Sequence, residues 1–266
     1  MNLEQFLSST DENPRPRKLV IYGGEGLGKT TFAARTPFGP VVFLPTEDGY
    51  QDLRPSVKKI TFGGKRIIES ESELLEAISL LSANDHGFGC VVLDSAEAAE
   101  SMIQKTVAEA ANKETLAEIG FGKGHAAAAS KFCQLLAGFD ALVAKGMFVI
   151  IIAHSTIEKA QNPSGDAYDY YTPRLDKRTS PILREWADEI FFLSPKVYTT
   201  TVDEGFGKKT AKATGMGERV IYTTERPTYA AKNRLNLPDE IPFPKDASVP
   251  WGVYSAAIAG QFSGVV

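Results

Sequence analysis

Residues 23–30 read Gly-Gly-Glu-Gly-Leu-Gly-Lys-Thr, the full pattern G-x-x-x-x-G-K-[ST]. The run before it, Lys18–Tyr22 (KLVIY), reads as a buried strand, and the residues from Lys29 to Arg35 read as a helix. A core strand must therefore pass into a helix through a glycine loop. Glycines let successive backbone N–H groups turn inward around an anion without a Cβ clash. The positive end of the helix dipole points at the same spot. The pattern predicts a phosphate cradle made of Gly23, Gly24, Glu25, Gly26, Leu27, Gly28, Lys29, Thr30 and Thr31. In it Lys29 supplies a point charge to the β- and γ-phosphates, the Thr30 hydroxyl ligates Mg²⁺, and Thr31 reaches the α-phosphate.

Apolar runs and helical patterns alternate from residue 18 to residue 195. Val41–Leu44, Cys90–Leu93, Met147–Ala153 and Glu189–Leu193 read as buried strands, with Lys58–Phe62 a weaker one. Glu71–Ser82, Ala96–Asn112, Ala126–Lys145 and a short stretch at Pro181–Ala187 read as helices. The expected fold is α/β, a mostly parallel central sheet flanked by helices. Ser155–Ser180 reads as a long polar loop. Beyond it, Val197–Val202 and Arg219–Thr224 read as antiparallel strands joined by a lysine-rich tip at Gly205–Gly217, with Thr228–Ala231 a candidate third strand. A proline-rich stretch then leads to a short apolar helix near Val253–Ala259. The expected division is a tail at 1–17, a domain at 18–236 that includes the hairpin 197–224, and a C-terminal tail at 237–266.

The net charge of −4 over 266 residues excludes a polycation, so nucleic-acid binding would need a local basic surface. Cys90 and Cys133 lack metal-ligand spacing and read as small buried apolar residues. His86 and His125 have no metal-binding spacing either and read as structural. The polar N-terminus lacks the apolar core of a signal peptide, and Met147–Ala153, the longest strongly apolar stretch, is too short to cross a bilayer. The expectation is a cytoplasmic protein without a membrane partner.

Cys90–Asp94 (CVVLD) is an apolar run ending in an acid, the form of a strand whose aspartate holds Mg²⁺. The competing reading makes Asp94 the N-cap of the next helix, with Ser95 as a rival cap. Glu47 falls just after Val41–Leu44, at the strand end where a water-activating base would sit. Thr46–Tyr50 also reads as a plain turn, and the residues alone leave both readings open. His154 ends the Met147–Ala153 run, where a polar side chain can sense a γ-phosphate or serve structure only.

The segments YGGEGLGKTTFAA, VVFLPTEDGYQDL, VVLDSAE, EIGFGKGH, FVIIIAHSTIEKAQNPSGDAYDYYTPRL, EWADEIFFL and YAAKNRLNLPDEI together resemble the RecA-like branch of P-loop ATPases. More narrowly they resemble phage and prophage ATP-binding proteins that include single-strand annealing recombination ATPases. The resemblance implies ATP and Mg²⁺ as cofactors, Glu47 as catalytic base, Lys29 as a catalytic cation and His154 as sensor, although RecA itself carries Gln there. Lys232-Asn233-Arg234 is similar to the Lys-x-Arg finger pair of hexameric helicases, which implies self-association into a ring or filament with ATP at the subunit interface. It also implies two loops that bind single-stranded DNA. The matching cations and aromatics are Lys123 in Gly120–His125, then Lys159, Tyr168, Tyr170, Tyr171, Arg174, Lys177 and Arg178 in Ser155–Ser180. Lys208, Lys209 and Lys212 add charge at the expected hairpin tip. A soluble lysine-rich edge and domain-packed tyrosines would look the same. A phage single-strand-binding protein is a further expected partner. The expectation is thus a DNA-stimulated ATPase of phage-type recombination or annealing, with an ATP-dependent loading switch or a small-molecule kinase as alternatives.

Overall fold

The structure, a computed structural model, describes residues 15–48, 58–162, 165–196, 198–203, 209–214 and 217–262. Its centre is a parallel block of strands in the order β7-β1-β5-β4-β2-β3. These are β1 (Lys18–Gly23), β2 (Val41–Pro45), β3 (Lys58–Lys59), β4 (Cys90–Asp94), β5 (Phe148–Ala160) and β7 (Glu189–Pro195). Antiparallel β10 (Arg219–Tyr222) and β11 (Glu240–Pro242) extend the sheet beyond β7. This is the mostly parallel, helix-covered sheet that the alternating apolar runs predict.

Successive strand residues point to opposite faces, so each strand serves two cores. Val20, Tyr22, Val91, Leu93, Val149 and Ile151 face α2 (Glu71–Ala83), α3 (Ala96–Ala110), α4 (Lys123–Ala144) and α5 (Thr179–Trp186). Leu19, Ile21, Cys90, Val92, Ile150 and Ile152 face α1 (Lys29–Ala34) and α6 (Ser248–Phe262). By length and composition α4 could span a bilayer. Instead its Phe132, Leu135, Leu136, Phe139 and Leu142 pack against the sheet. Cys90 is buried as expected, whereas Cys133 lies on the exposed side of α4.

Three sequence expectations are corrected. First, the polar stretch after Ala153 is not a loop. β5 runs on past the sheet to Ala160 and pairs antiparallel with β6 (Tyr168–Pro173), Ser155 opposite Pro173 and Ala160 opposite Tyr168. This ribbon is exposed on most of both faces, so its strands carry no apolar alternation to read. Second, residues 198–203 do not pair with 219–222. β8 (Tyr198–Asp203) pairs with β9 (Lys209–Thr214), inside the segment expected as a tip, and β10 joins the main sheet. Within residues 228–231 only Tyr229 forms bridges, isolated ones to Tyr171 and Arg226. Third, residues 237–262 are not a tail. Leu237, Ile241, Phe243, Trp251 and Tyr254 are all buried in the second core. Trp251 stacks on Phe32 of α1 at 4.2 Å between ring centroids and donates its indole N–H to Phe32 O at 2.8 Å. The helix carrying Lys29 of the glycine loop is thereby held by the C-terminal one. Tyr254 and Arg17 both bond the buried Glu189 carboxylate, tying α6 and the segment before β1 to β7.

Candidate active site

Parallel strands put all their carboxyl ends on one edge, and that edge collects the candidate residues. β1 delivers the glycine loop there, β2 delivers Glu47, β4 delivers Asp94 and β5 delivers His154. The loop needs its first glycine for close approach: a Cβ at Gly23 would stand 2.1 Å from Leu193 O of neighbouring β7. Lys29 is 6% exposed. Its ammonium donates to Gly23 O at 3.0 Å and Gly24 O at 2.8 Å, inside the loop. Burial holds its pKa below the usual lysine range, against the pull of Glu97, Asp94, Glu47 and Glu25.

Thr30 donates its hydroxyl to Asp94 Oδ2 at 2.9 Å. Asp94 is 6% exposed, and burial, reinforced by Glu47, pushes its pKa up to about 6. A hydroxyl and a desolvated carboxylate side by side form the hard-oxygen donor set that suits Mg²⁺. The rival N-cap reading of Asp94 is not what the structure shows. Ser95 occupies the N-cap of α3 without a side-chain cap bond. Its hydroxyl donates instead to Glu47 Oε1 at 2.5 Å. The Thr46 hydroxyl accepts from Ser95 N at 2.6 Å and lies 3.1 Å from Ser95 O, across the cis Asp94–Ser95 peptide. Thr46 N and Glu47 N both donate to Asp94 O. The end of β2 is thus fastened to the end of β4, which sets Glu47 beside Asp94.

Glu97, in the first turn of α3, completes the edge and was not singled out from the sequence. It accepts from His154 N at 2.8 Å and from His154 Nδ1. Burial alone would raise its pKa, but the bonds and charge from His154 outweigh that and lower it. An oxygen of Glu47, an oxygen of Glu97 and a ring nitrogen of His154 lie within 4.8 Å of one another. Glu97 Oε2 is buried with no hydrogen-bond partner, alone in this among side-chain atoms of the described residues. Arg174, expected in a DNA-binding loop, stands here instead, 3.5 Å from Glu97 Oε1 and 3.2 Å from His154 Nδ1. In the sequence Glu97 is an acid in the first turn of a helix, where the helix dipole favours one, and nothing else marks it.

One turn further along α3, Glu100 is buried and its pKa is raised by that burial. It accepts from Asp176 N at 3.0 Å and from the Thr179 hydroxyl. Asp176 meets His125 Nδ1 at 2.8 Å, and Arg178 donates to Gly122 O at 2.9 Å. These bonds fasten the turn before α5 to the Gly120–His125 segment and give His125 the structural role expected of it. His86 also serves structure, accepting from Phe88 N at 3.0 Å through Nδ1.

The remaining cations and aromatics are scattered. Lys123 opens α4 and Lys177 is exposed in the turn before α5. Lys159 pairs with Asp169 across the ribbon at 2.9 Å. Tyr170 bonds Glu225 and Arg184, and Tyr171 stacks on Phe192 at 5.2 Å. Tyr168 and Tyr171 keep exposed faces, beside an exposed Ile157. Lys208 lies outside the described residues, and of Lys209 and Lys212 only the backbone, in β9, is described. Phe121, which no sequence pattern marks, is fully exposed, with φ of 58°, between Gly120 and Gly122.

The Lys-x-Arg pair sits at the opposite edge of the sheet, where Lys232 bridges Ile190 near the start of β7. Lys232 is not an exposed finger. Its ammonium donates to Arg184 O at 3.1 Å, Glu185 O at 2.9 Å and Ala187 O at 2.5 Å, capping the C-terminal end of α5. Arg234, about half exposed, donates to Asp188 Oδ1 at 3.0 Å.

With this geometry in place, comparison with known proteins is informative for the family. No curated protein is significantly similar in sequence. Among solved structures, the flagellar accessory protein FlaH of Methanocaldococcus jannaschii is similar over 86% of this chain and 85% of its own, at 13% identity and a TM-score of 0.41. That likeness is too loose to carry an argument. A family profile described as an AAA domain matches residues 15–235, from just before β1 to the segment after the Lys-x-Arg pair. The match encloses the glycine loop, Glu47, Asp94, Glu97 and His154, and the chain belongs to this AAA domain family of P-loop NTPases.

Proposed function

We propose that the chain is a Mg²⁺-dependent ATPase that acts on single-stranded DNA, in the manner of phage-type recombination or annealing. Bound Mg²⁺, held by Thr30 and Asp94, would neutralise charge on the phosphates. Lys29 leaves its two loop carbonyls for the β- and γ-oxygens. Glu47, held by Ser95, orients and deprotonates the attacking water. His154 and Arg174 respond to the γ end through their shared partner Glu97.

The observation that carries the DNA half of this reading is helix α3. Two of its carboxylates face two directions: Glu97 binds His154 at the catalytic edge, and Glu100 binds the turn whose Arg178 holds the Gly122 carbonyl, next to exposed Phe121. An unsupported phenyl ring between glycines, with Lys123 and Arg178 beside it, suits base stacking with phosphate neutralisation. The finger role moves to Arg234. It stands at the far edge from its own phosphate loop, so it can reach a γ-phosphate only in a neighbouring subunit of a ring or filament.

The test is the ATPase rate with and without single-stranded DNA, for the parent chain and for Phe121→Ala. The expected result is stimulation in the parent and its loss in the variant, with basal turnover kept. The DNA reading falls if single-stranded DNA neither binds at low salt with ATP present nor changes the rate.

A further inference from the structure

The active-site edge has a direction. Asp94, Glu47 and Glu97 mark the end where the γ-phosphate must lie, so the group attached to the α-phosphate leaves past Thr31. On that side lies a cavity of about 980 Å³, lined in part by Gly26, Gly28 and Thr31 of the loop itself. Apart from Lys196, the rest of its wall comes from the C-terminal segment, including Arg219, Pro242, Phe243, Pro244, Lys245 and Val249. Arg219 places its guanidinium 4.8 Å from the centre of the Phe243 ring and donates to Leu27 O at 2.5 Å. Phe243 N donates to Arg219 O at 2.9 Å, which fixes the two in register. Both press on the loop at Gly28, whose φ is +100° and whose Cβ, if present, would stand 3.0 Å from Arg219 Nη1 and 3.2 Å from the Phe243 ring. The Lys196–Glu240 ion pair, 3.2 Å apart, closes the rim.

We propose that this cavity is the nucleoside site: the purine base packs against the Arg219–Phe243 pair and the flanking prolines, and Lys245 faces the ribose side. The volume suits such a ligand, and a flat cation over a ring beside prolines offers an apolar wall with one polar handle. The inference rests on the proposed triphosphate site and adds that residues after 218 read the base. It gives the C-terminal segment a role in binding as well as in packing.

The test compares MgATP with Mg-tripolyphosphate, which has the phosphates but no nucleoside, by calorimetry on the full chain. Two variants are used. Val249→Trp fills the cavity from an exposed helix position, and Phe243→Leu trims the wall while keeping an apolar side chain. Both are expected to weaken MgATP by about tenfold or more while leaving tripolyphosphate unchanged. Crosslinking with 8-azido-ATP is expected to label the 240–249 peptide. Unchanged MgATP affinity in Val249→Trp, or equal loss of both ligands in the two variants, overturns the inference and leaves the phosphate site standing. A parent chain that binds neither ligand overturns the triphosphate reading beneath it.

Discussion

Replacing Asp94 by asparagine should separate what the site needs from what the fold prefers. Burial raises the Asp94 carboxyl from its ordinary 3.8 to about 6. At pH 7 the group is ionised in both the folded and unfolded chain, but only the folded chain bears the cost, about 3 kcal/mol. The sign follows from the proton count. Between about 6 and 3.8 the folded state holds more of the proton than the unfolded state, so the penalty shrinks as pH falls. Below the lower value it is gone. An asparagine oxygen can still accept the Thr30 hydroxyl, so Asp94→Asn removes the charge and keeps the bond. The metal-free variant should therefore be more stable than the parent at pH 7 by up to about 3 kcal/mol. That corresponds to roughly 5–10 °C in Tm for a chain of this size. The gain should fall to about 0.5 kcal/mol at pH 4, while Mg²⁺-dependent turnover is lost at every pH. Urea unfolding at the two pH values, without Mg²⁺ or nucleotide, measures it. A variant no more stable than the parent at pH 7, or one whose advantage is undiminished at pH 4, refutes the reasoning.

Lys29→Ala should abolish triphosphate binding while leaving the circular-dichroism spectrum intact, because the ammonium bonds only carbonyls of its own loop. Glu97→Ala leaves His154 N without its acceptor and is expected to cost about 1–3 kcal/mol and to lower turnover; denaturant titration and a steady-state ATPase assay read the two effects. Lys232→Met exposes carbonyls at the end of α5 and should destabilise the chain by about 1 kcal/mol or more, whereas a pure finger would lower turnover with Tm unchanged. Trp251→Ala should cost about 3–5 kcal/mol, and a chain ended at residue 236 should fail to give a cooperative melt.

The parallel strands were readable because each is apolar on both faces, and the glycine loop because its pattern and context coincide. Asp94 and Glu47 could be placed at the right edge since parallel strands share one. What the sequence hid follows from how signals arise. The β5–β6 ribbon lies mostly in solvent, so Thr156, Glu158 and Lys159 carry strand geometry without strand hydrophobicity. Its backbone ladder is what makes it a strand. Glu97 looked like an ordinary acid in a helix's first turn, where the dipole welcomes one, and only the approach of β5 gives it His154. Lys232 resembled an exposed finger because a carbonyl cap has no side-chain partner to find. The C-terminal segment read as a tail because its buried residues, Leu237, Ile241, Phe243, Trp251 and Tyr254, are spread among prolines and match no single helical or strand period.

β5 has a mechanical consequence. The strand is continuous for 13 residues, so its backbone runs without a break from the sheet into the ribbon. His154 is the pivot, and from it to Ala160 is roughly 20 Å of extended chain. A tilt of about 10° there would carry the far end of the ribbon roughly 3–4 Å. A shift too small to notice beside His154 would thus become a displacement of several ångströms at the far end of the ribbon.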